Sequence, residues 1–137
     1  MITAVDSSII IDVLEPDPDH GPGSREALRR CLREGSMVAC DVVWVEVATA
    51  FGHAQARALD ALREIGIAYS PMSEEAALRA AECWYRFRKR SEAKDRIVAD
   101  FLVGGHALVQ ADRLLTRDRG FYHACFSGLM ILDPAKP

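Results

Sequence analysis

Four acidic residues of this chain are placed where a parallel α/β fold would present them to a ligand. Two follow short β-compatible stretches and two lie at the edge of apolar helical stripes: Asp6 and Asp118, and Glu46 and Asp100. An unpaired buried carboxylate costs several kcal/mol, so a fold tolerates such acids only beside a cation or a hydrogen-bond donor. If the four converge, Mg²⁺ or Mn²⁺ would suit them, because both ions take oxygen ligands. An acid that follows a strand is also commonly only a helix cap, and position alone leaves both interpretations open.

The elements that must position these acids alternate between strands and helices. The predicted strands are Ile2–Val5, Met37–Cys40, Ile67–Ser70, Leu114–Leu115 and Leu129–Leu132. The predicted helices run over 7–14, 24–35, 42–53, 54–65, from Ser73 to the basic stretch 86–96, and over 96–111, with a helical turn over 121–126. This order predicts an α/β fold with a mostly parallel sheet, helices on both faces and ligands beyond the carboxyl ends of the strands.

Two details of that assignment are specific enough to test. Ser24 is the expected N-cap of the second helix, after a surface loop over 15–23. The helix that starts at Ser73 is expected to bury a stripe, which comprises Ala77, Ala80, Ala81, Trp84 and Phe87.

Composition narrows the class of protein. With 137 residues and 50% hydrophobic content, the chain is predicted to form a single domain over 1–137. The net charge of −3 argues against a protein that coats nucleic acid non-specifically, but it is compatible with a local basic groove. The short apolar runs predict neither a membrane span nor a signal peptide. The four cysteines form no CxxC pair, so we interpret them as reduced thiols of a cytoplasmic protein.

Four local motifs resemble the PIN-domain family, and more narrowly its VapC-type toxins. They are Val5–Leu14, Val45–Ala48, Ala99–Leu108 and Leu114–Tyr122, and the resemblance runs from Ile2 to Pro134. It implies a PIN-like three-layer α/β/α fold. It also implies a Mg²⁺- or Mn²⁺-dependent endoribonuclease that is the toxin of a bacterial type II toxin–antitoxin pair, held inactive by a cognate antitoxin and usually dimeric.

Matched motif by motif, the family's catalytic and metal-ligating acids fall on Asp6, Glu46, Asp100 and Asp118, with Thr116 beside the last. Asp112 also precedes the last of these motifs, but the Thr-x-Asp-x-Gly-Phe-Tyr context belongs to Asp118. RNA hydrolysis requires an activated water and charge stabilisation on the scissile phosphate, and a divalent ion on these acids would supply both.

Basic residues provide candidates for binding the polyanionic RNA. They are Arg86, Arg88, Lys89, Arg90, Lys94 and Arg96, with Thr116, Arg117 and Arg119 next to the fourth acid. The stretch 86–96 is equally compatible with a solvated helix end, and Arg117 with a structural ion pair.

Other classes of protein remain to be weighed. An RNase H-like nuclease would use the same chemistry but opens with consecutive antiparallel strands, and a phosphoaspartyl-transfer enzyme would need a second Asp close after Asp6. A non-catalytic PIN-like module that acts through a protein partner is the main alternative. For an antitoxin, the expected docking groove lies on the early helices, around Ile11, Leu14, Leu28, Leu32, Val47 and Phe51.

Overall fold

Five parallel strands form the centre of the computed structural model, which describes residues 1–90 and 96–135. The strands are β1 (Ile2–Val5), β2 (Ser36–Ala39), β3 (Ile67–Tyr69), β4 (Arg113–Leu115) and β5 (Met130–Leu132). Each pair of neighbours in the order β3-β2-β1-β4-β5 is parallel. The predicted mostly parallel sheet is therefore confirmed.

The strand order reverses at β1. The chain moves from β1 outward to β2 and β3, and then returns to place β4 and β5 on the other side of β1. Because parallel crossovers are right-handed, the two directions put the connecting helices on opposite faces, which gives three layers. In doubly wound sheets a ligand crevice forms at such a reversal, here beyond the carboxyl ends of β1 and β4.

In the described residues, seven α-helices connect the strands. They are α1 (Ser7–Leu14), α2 (Gly21–Glu34), α3 (Asp41–Ala50), α4 (Gln55–Ile65), α5 (Glu74–Arg90), α6 (Val98–Gln110) and α7 (Arg119–Cys125), with a short 3₁₀ turn at Gly52–Ala54. In the part of the chain that the structure describes, no helix is both long enough and apolar enough to cross a membrane.

The expected start of α2 at Ser24 is wrong. The helix begins at Gly21, with Pro22 in its first turn, where a missing N–H costs nothing. Ser24 is buried within the helix, and its hydroxyl donates to the Asp12 carboxylate at 2.8 Å. Its side chain therefore serves a tertiary contact.

The predicted buried stripe of α5 is right for Ala80 and Phe87 and wrong for its other three members. Ala76, Ala80 and Cys83 face the core, whereas Ala77, Ala81 and Trp84 are exposed. The packing of α5 on α6 explains the rotation: a Cβ added to Gly105 would lie 2.6 Å from the Ala76 carbonyl oxygen. The backbones meet at this glycine, and only the side with Ala76 and Ala80 permits that approach.

Candidate active site

Asp6 lies at the carboxyl end of β1 and is the N-cap of α1. Its Oδ1 accepts the Ser7 backbone N–H at 2.8 Å, and its Oδ2 accepts the Thr116 hydroxyl at 2.8 Å. The cap satisfies one of the N–H groups that a helix leaves open at its start, so the fold itself fixes this carboxylate.

Thr116 connects the ends of β1 and β4. The threonine is fully buried; its hydroxyl donates to Asp6, and its Oγ1 accepts the Asp118 backbone N–H at 3.0 Å. Thr116 thus holds the positions of two of the predicted acids together. Thr116 therefore supports the site from the protein interior.

Glu46 and Asp100 reach the same region from α3 and from the first turn of α6. With Asp6 and Asp118 they line one open cleft of about 410 Å³, together with Ser7, Ser8 and Arg117. The structure therefore places all four predicted acids around one cleft at the reversal of strand order.

Three of these carboxyl groups are shifted toward the protonated form. Burial raises the pKa of Asp6, and the carboxylates of Asp100 and Asp118 raise it further, against the hydrogen bonds it accepts. Burial also raises the pKa of Glu46, with a contribution from Asp6. The pKa of Asp100 is raised mainly by burial, and Arg96 offsets part of that rise. Negative charge in this cleft is therefore incompletely balanced.

Arg96 lies at the rim of the cleft and pairs with Asp118. Its Nη1 and Nη2 each donate to one oxygen of that carboxylate, the second at 3.2 Å. Its Nη1 is also 3.7 Å from Asp100 Oδ2, and its guanidinium carbon lies 4.2 Å from the centre of the Phe121 ring. Among the predicted basic residues, Arg96 thus forms ion pairs with two acids of the cluster.

Arg117 forms the structural ion pair that the sequence left open. Its Nε and Nη2 donate to the two oxygens of Asp12 at 2.9 and 3.0 Å. Asp12, on α1, is 4% exposed and also accepts the Ser24 hydroxyl. Sequence reasoning missed Asp12, although a charged residue three positions after the buried Ile9 in an apolar helix was a usable signal.

The remaining basic candidates among the described residues lie outside the cleft lining. Arg88 and Lys89 lie over the rings of Trp84 and Tyr85 on their own helix, at 5.7 and 5.4 Å from the ring centres. Arg86 and Arg119 are exposed, and Arg90 lines a neighbouring cavity that also contains Phe87 and Arg96. Lys94 lies outside the described residues.

The donor set of the cleft fits a hard divalent ion. Carboxylate oxygens are the ligands that Mg²⁺ and Mn²⁺ prefer, and a cation would offset the burial and the repulsion that together raise the three pKa values. Within 1–90 and 96–135, no group of three or more His, Cys, Asp or Glu side chains is drawn together closely enough to hold a metal as it stands. Metal binding by these acids stays a prediction.

A family model described as PIN domain matches residues 3–127, so the chain belongs to the PIN domain family. A search among curated proteins found no match.

Solved toxin–antitoxin proteins share the fold. VapBC-1 from nontypeable Haemophilus influenzae is 22% identical with a TM-score of 0.74, over 99% of this chain and 100% of that one. VapBC2 from Rickettsia felis, bound to a promoter DNA fragment, is 12% identical with a TM-score of 0.74, over 97% and 98%. VapC20 of Mycobacterium tuberculosis, described as a Sarcin-Ricin loop cleaving toxin, is 15% identical with a TM-score of 0.63, over 93% and 98%. These likenesses confirm the PIN-like α/β/α fold.

Proposed function

We propose that this chain is a divalent-metal-dependent endoribonuclease and the toxin of a type II toxin–antitoxin pair. The observation that carries the proposal is the cleft at the strand reversal, lined by Asp6, Glu46, Asp100 and Asp118. Membership of the PIN domain family and the toxin–antitoxin structures that share the fold support it.

Asp6, Glu46 and Asp100 are the residues that we propose to hold the ion. Each has a raised pKa, so each gains from a neighbouring positive charge. When bound, Mg²⁺ or Mn²⁺ supplies an activated water and polarises a phosphoryl oxygen. Asp118, whose carboxylate is paired with Arg96, is not among these three.

The chain's own residues orient this set. The backbone N–H of Ser7 and the hydroxyl of Thr116 both donate to Asp6, which holds that carboxylate at the end of β1 and offsets part of the rise in its pKa. Glu46 and Asp100 are carried by helices, so the three side chains come from three separate, well-packed elements. Such support is what a pre-organised site requires.

RNA is the proposed substrate. The structural neighbour VapC20 is described as a Sarcin-Ricin loop cleaving toxin, and the rim of the cleft carries Arg96 for a phosphate. The test is cleavage of total RNA by the full chain in EDTA and in millimolar Mn²⁺. We expect cleavage only with the metal, and no metal-dependent cleavage of any RNA would contradict the proposal.

Metal binding has a second readout that needs no substrate. An ion that binds only the folded chain stabilises it by about 2.7 kcal/mol at 100 times its Kd, which should raise Tm by several degrees. If the melting temperatures in EDTA and Mn²⁺ are equal and calorimetry detects no heat of Mn²⁺ binding, the proposed metal dependence is contradicted.

For the antitoxin we propose a docking cavity of about 570 Å³ between the end of α1 and the region of α3 and α4. Its apolar lining includes Leu14 and Phe51, two of the six residues expected around the groove, together with Ala54, Ala58 and Ala61. Leu28 and Val47 are buried in the core and cannot contact a partner. Leu14→Asp should prevent co-purification with the antitoxin encoded beside this gene, whereas Leu78→Asp, an exposed position on α5, should not.

The resemblance to VapC toxins also leads us to propose a homodimer. Light scattering on the isolated chain and on its antitoxin complex measures the mass directly, and a monomer in both would contradict this part of the proposal.

A further inference from the structure

Arg96 is held in place from two sides. Both terminal nitrogens of its guanidinium donate to Asp118, one to each oxygen, which is the fork geometry that makes arginine–carboxylate pairs specific. The guanidinium carbon lies over the ring of Phe121, 4.2 Å from its centre, and Phe121 is 8% exposed and anchored in the core. A side chain with several rotatable bonds is thereby fixed at the rim of the acidic cleft.

The same contacts occupy Asp118. Its two carboxylate oxygens are both used by Arg96, and its backbone N–H is bonded to Thr116 Oγ1. Its side chain is 40% exposed. An ion bound to Asp118 would lie next to the positive charge of Arg96, which disfavours Asp118 as a ligand.

Arg96 also separates two cavities. On one side is the acidic cleft, through its contacts with Asp118 and Asp100; on the other is a cavity of about 490 Å³ whose lining includes Arg90, Phe87 and Phe121. Basic and aromatic side chains in one groove suit single-stranded RNA, which places phosphates on cations and bases on rings. A guanidinium has five N–H donors, so the bonds to Asp118 leave donors for a phosphate.

We propose that Arg96 binds the RNA phosphate next to the scissile one and that Asp118 positions Arg96 instead of ligating the metal. The inference rests on the proposed ribonuclease function and changes the role of the fourth acid within it. Asp118 is then a positioning residue, and the metal is held by Asp6, Glu46 and Asp100.

Mn²⁺ binding to the full chain without RNA, measured by calorimetry, tests the role of Asp118. We expect Asp6→Asn to weaken Mn²⁺ binding at least about tenfold and Asp118→Asn to change it less than about threefold. Asp60→Asn is the matched control, because Asp60 is an exposed acid paired with an arginine on α4. If Asp118→Asn weakens Mn²⁺ binding as much as Asp6→Asn, Asp118 is a ligand and the inference is wrong, while the ribonuclease proposal stands.

RNA binding in EDTA tests the role of Arg96 without cleavage. The probe is a fluorescein-labelled, single-stranded oligoribonucleotide of about 12 nucleotides, titrated by anisotropy at several salt concentrations. Loss of one phosphate contact should reduce the slope of log K against log salt by about 0.7, which we expect for Arg96→Gln but not for the control Arg63→Gln. A purely structural ion pair would lower Tm in Arg96→Gln and leave the slope unchanged, which would overturn the inference.

The coupling between the two residues gives the third readout. If Asp118 acts through Arg96, Asp118→Asn should weaken RNA binding in the wild-type background and have no further effect in Arg96→Gln. Independent effects of the two substitutions would contradict the positioning role. If the wild-type chain binds neither Mn²⁺ nor RNA, the ribonuclease proposal is overturned, and this inference with it.

Discussion

Asp6 and Asp12 are both carried by α1 or its cap, yet their surroundings are opposite. Asp12 has two oxygens bonded to Arg117 and one of them also to the Ser24 hydroxyl. Asp6 accepts two uncharged donors, and its charged neighbours in the cleft include the carboxylates of Asp100 and Asp118. The fold neutralises Asp12, which joins α1 to α2 and to the loop after β4, and it leaves excess negative charge in the cleft where a cation is proposed to bind.

A buried charge at the opposite end of the sheet is balanced in the same way as Asp12. Arg113 on β4 is 4% exposed and donates to Thr3 Oγ1 at 2.9 Å and to Glu34 Oε2 at 2.5 Å. Its charge is therefore balanced by an acid from α2. A buried charge with a full set of partners points to structure, whereas a set of like charges without them points to function.

The largest expected effect is on catalysis. Asp6→Asn should keep the cap on Ser7, because Asn is also a good N-cap, but it removes the charge proposed to hold the metal. RNA cleavage in Mn²⁺ should fall at least about a hundredfold, which corresponds to about 2.7 kcal/mol of barrier, and growth toxicity should disappear. Wild-type cleavage rates in this variant, measured with circular dichroism as the control for folding, would end the nuclease proposal.

The next largest effect is on folding stability, and it should differ between Asp12 and Asp6. Asp12→Asn leaves the Arg117 guanidinium without its carboxylate, and because Arg117 is partly exposed we expect a loss of about 2 kcal/mol of unfolding free energy. Asp6→Asn in EDTA should be as stable as wild type or more stable. Urea unfolding of both variants gives the comparison, and equal destabilisation would show that the two sites do not differ in charge balance.

The pH dependence of the metal-free protein sharpens the same contrast. Because the folded-state pKa values of Asp6, Glu46 and Asp100 are raised, their contribution to stability is present below about pH 4, the ordinary range of carboxyl groups, and is lost as pH rises through the folded values. Relative to wild type, Asp6→Asn should therefore gain stability with rising pH, by about 1.4 kcal/mol per unit of the Asp6 shift. Urea unfolding from pH 4 to 8 in EDTA measures this difference. If the difference in stability between Asp6→Asn and wild type does not change with pH, the raised pKa of Asp6 is contradicted.

Much of this arrangement could be predicted from local sequence. The ends of β1 and β4 were recognisable from short apolar stretches followed by polar residues, so Asp6 and Asp118 were assigned to the ligand edge of the sheet. The Gly104–Gly105 pair inside α6 is also a sequence signal of close packing, and a Cβ on Gly105 would lie 2.6 Å from the Ala76 carbonyl oxygen of α5.

The partners of the charged residues could not be predicted. Arg96 and Asp118 are 22 positions apart, and Arg117 and Asp12 are 105 apart, so these pairs depend on how helices pack across the sheet. The rotation of α5 has the same origin, because the contact of Gly105 with Ala76 outweighs the apolar periodicity of α5 itself.

The smallest expected effect concerns Asp112, the acid that could be mistaken for Asp118. Its carboxylate accepts the Ile2 backbone N–H at 2.6 Å, and its own N–H donates to the Ile2 carbonyl, so it joins the amino ends of β1 and β4. The acidic cleft lies at the carboxyl ends of the same two strands, a full strand length away. Asp112→Asn should therefore leave RNA cleavage within about twofold of wild type and cost about 0.5–1 kcal/mol of stability, the usual worth of one exposed hydrogen bond. If Asp112→Asn abolished cleavage in steady-state assays while Asp118→Asn did not, the assignment of the fourth acid would be reversed, and the contrast between the two ends of the sheet would lose its functional meaning.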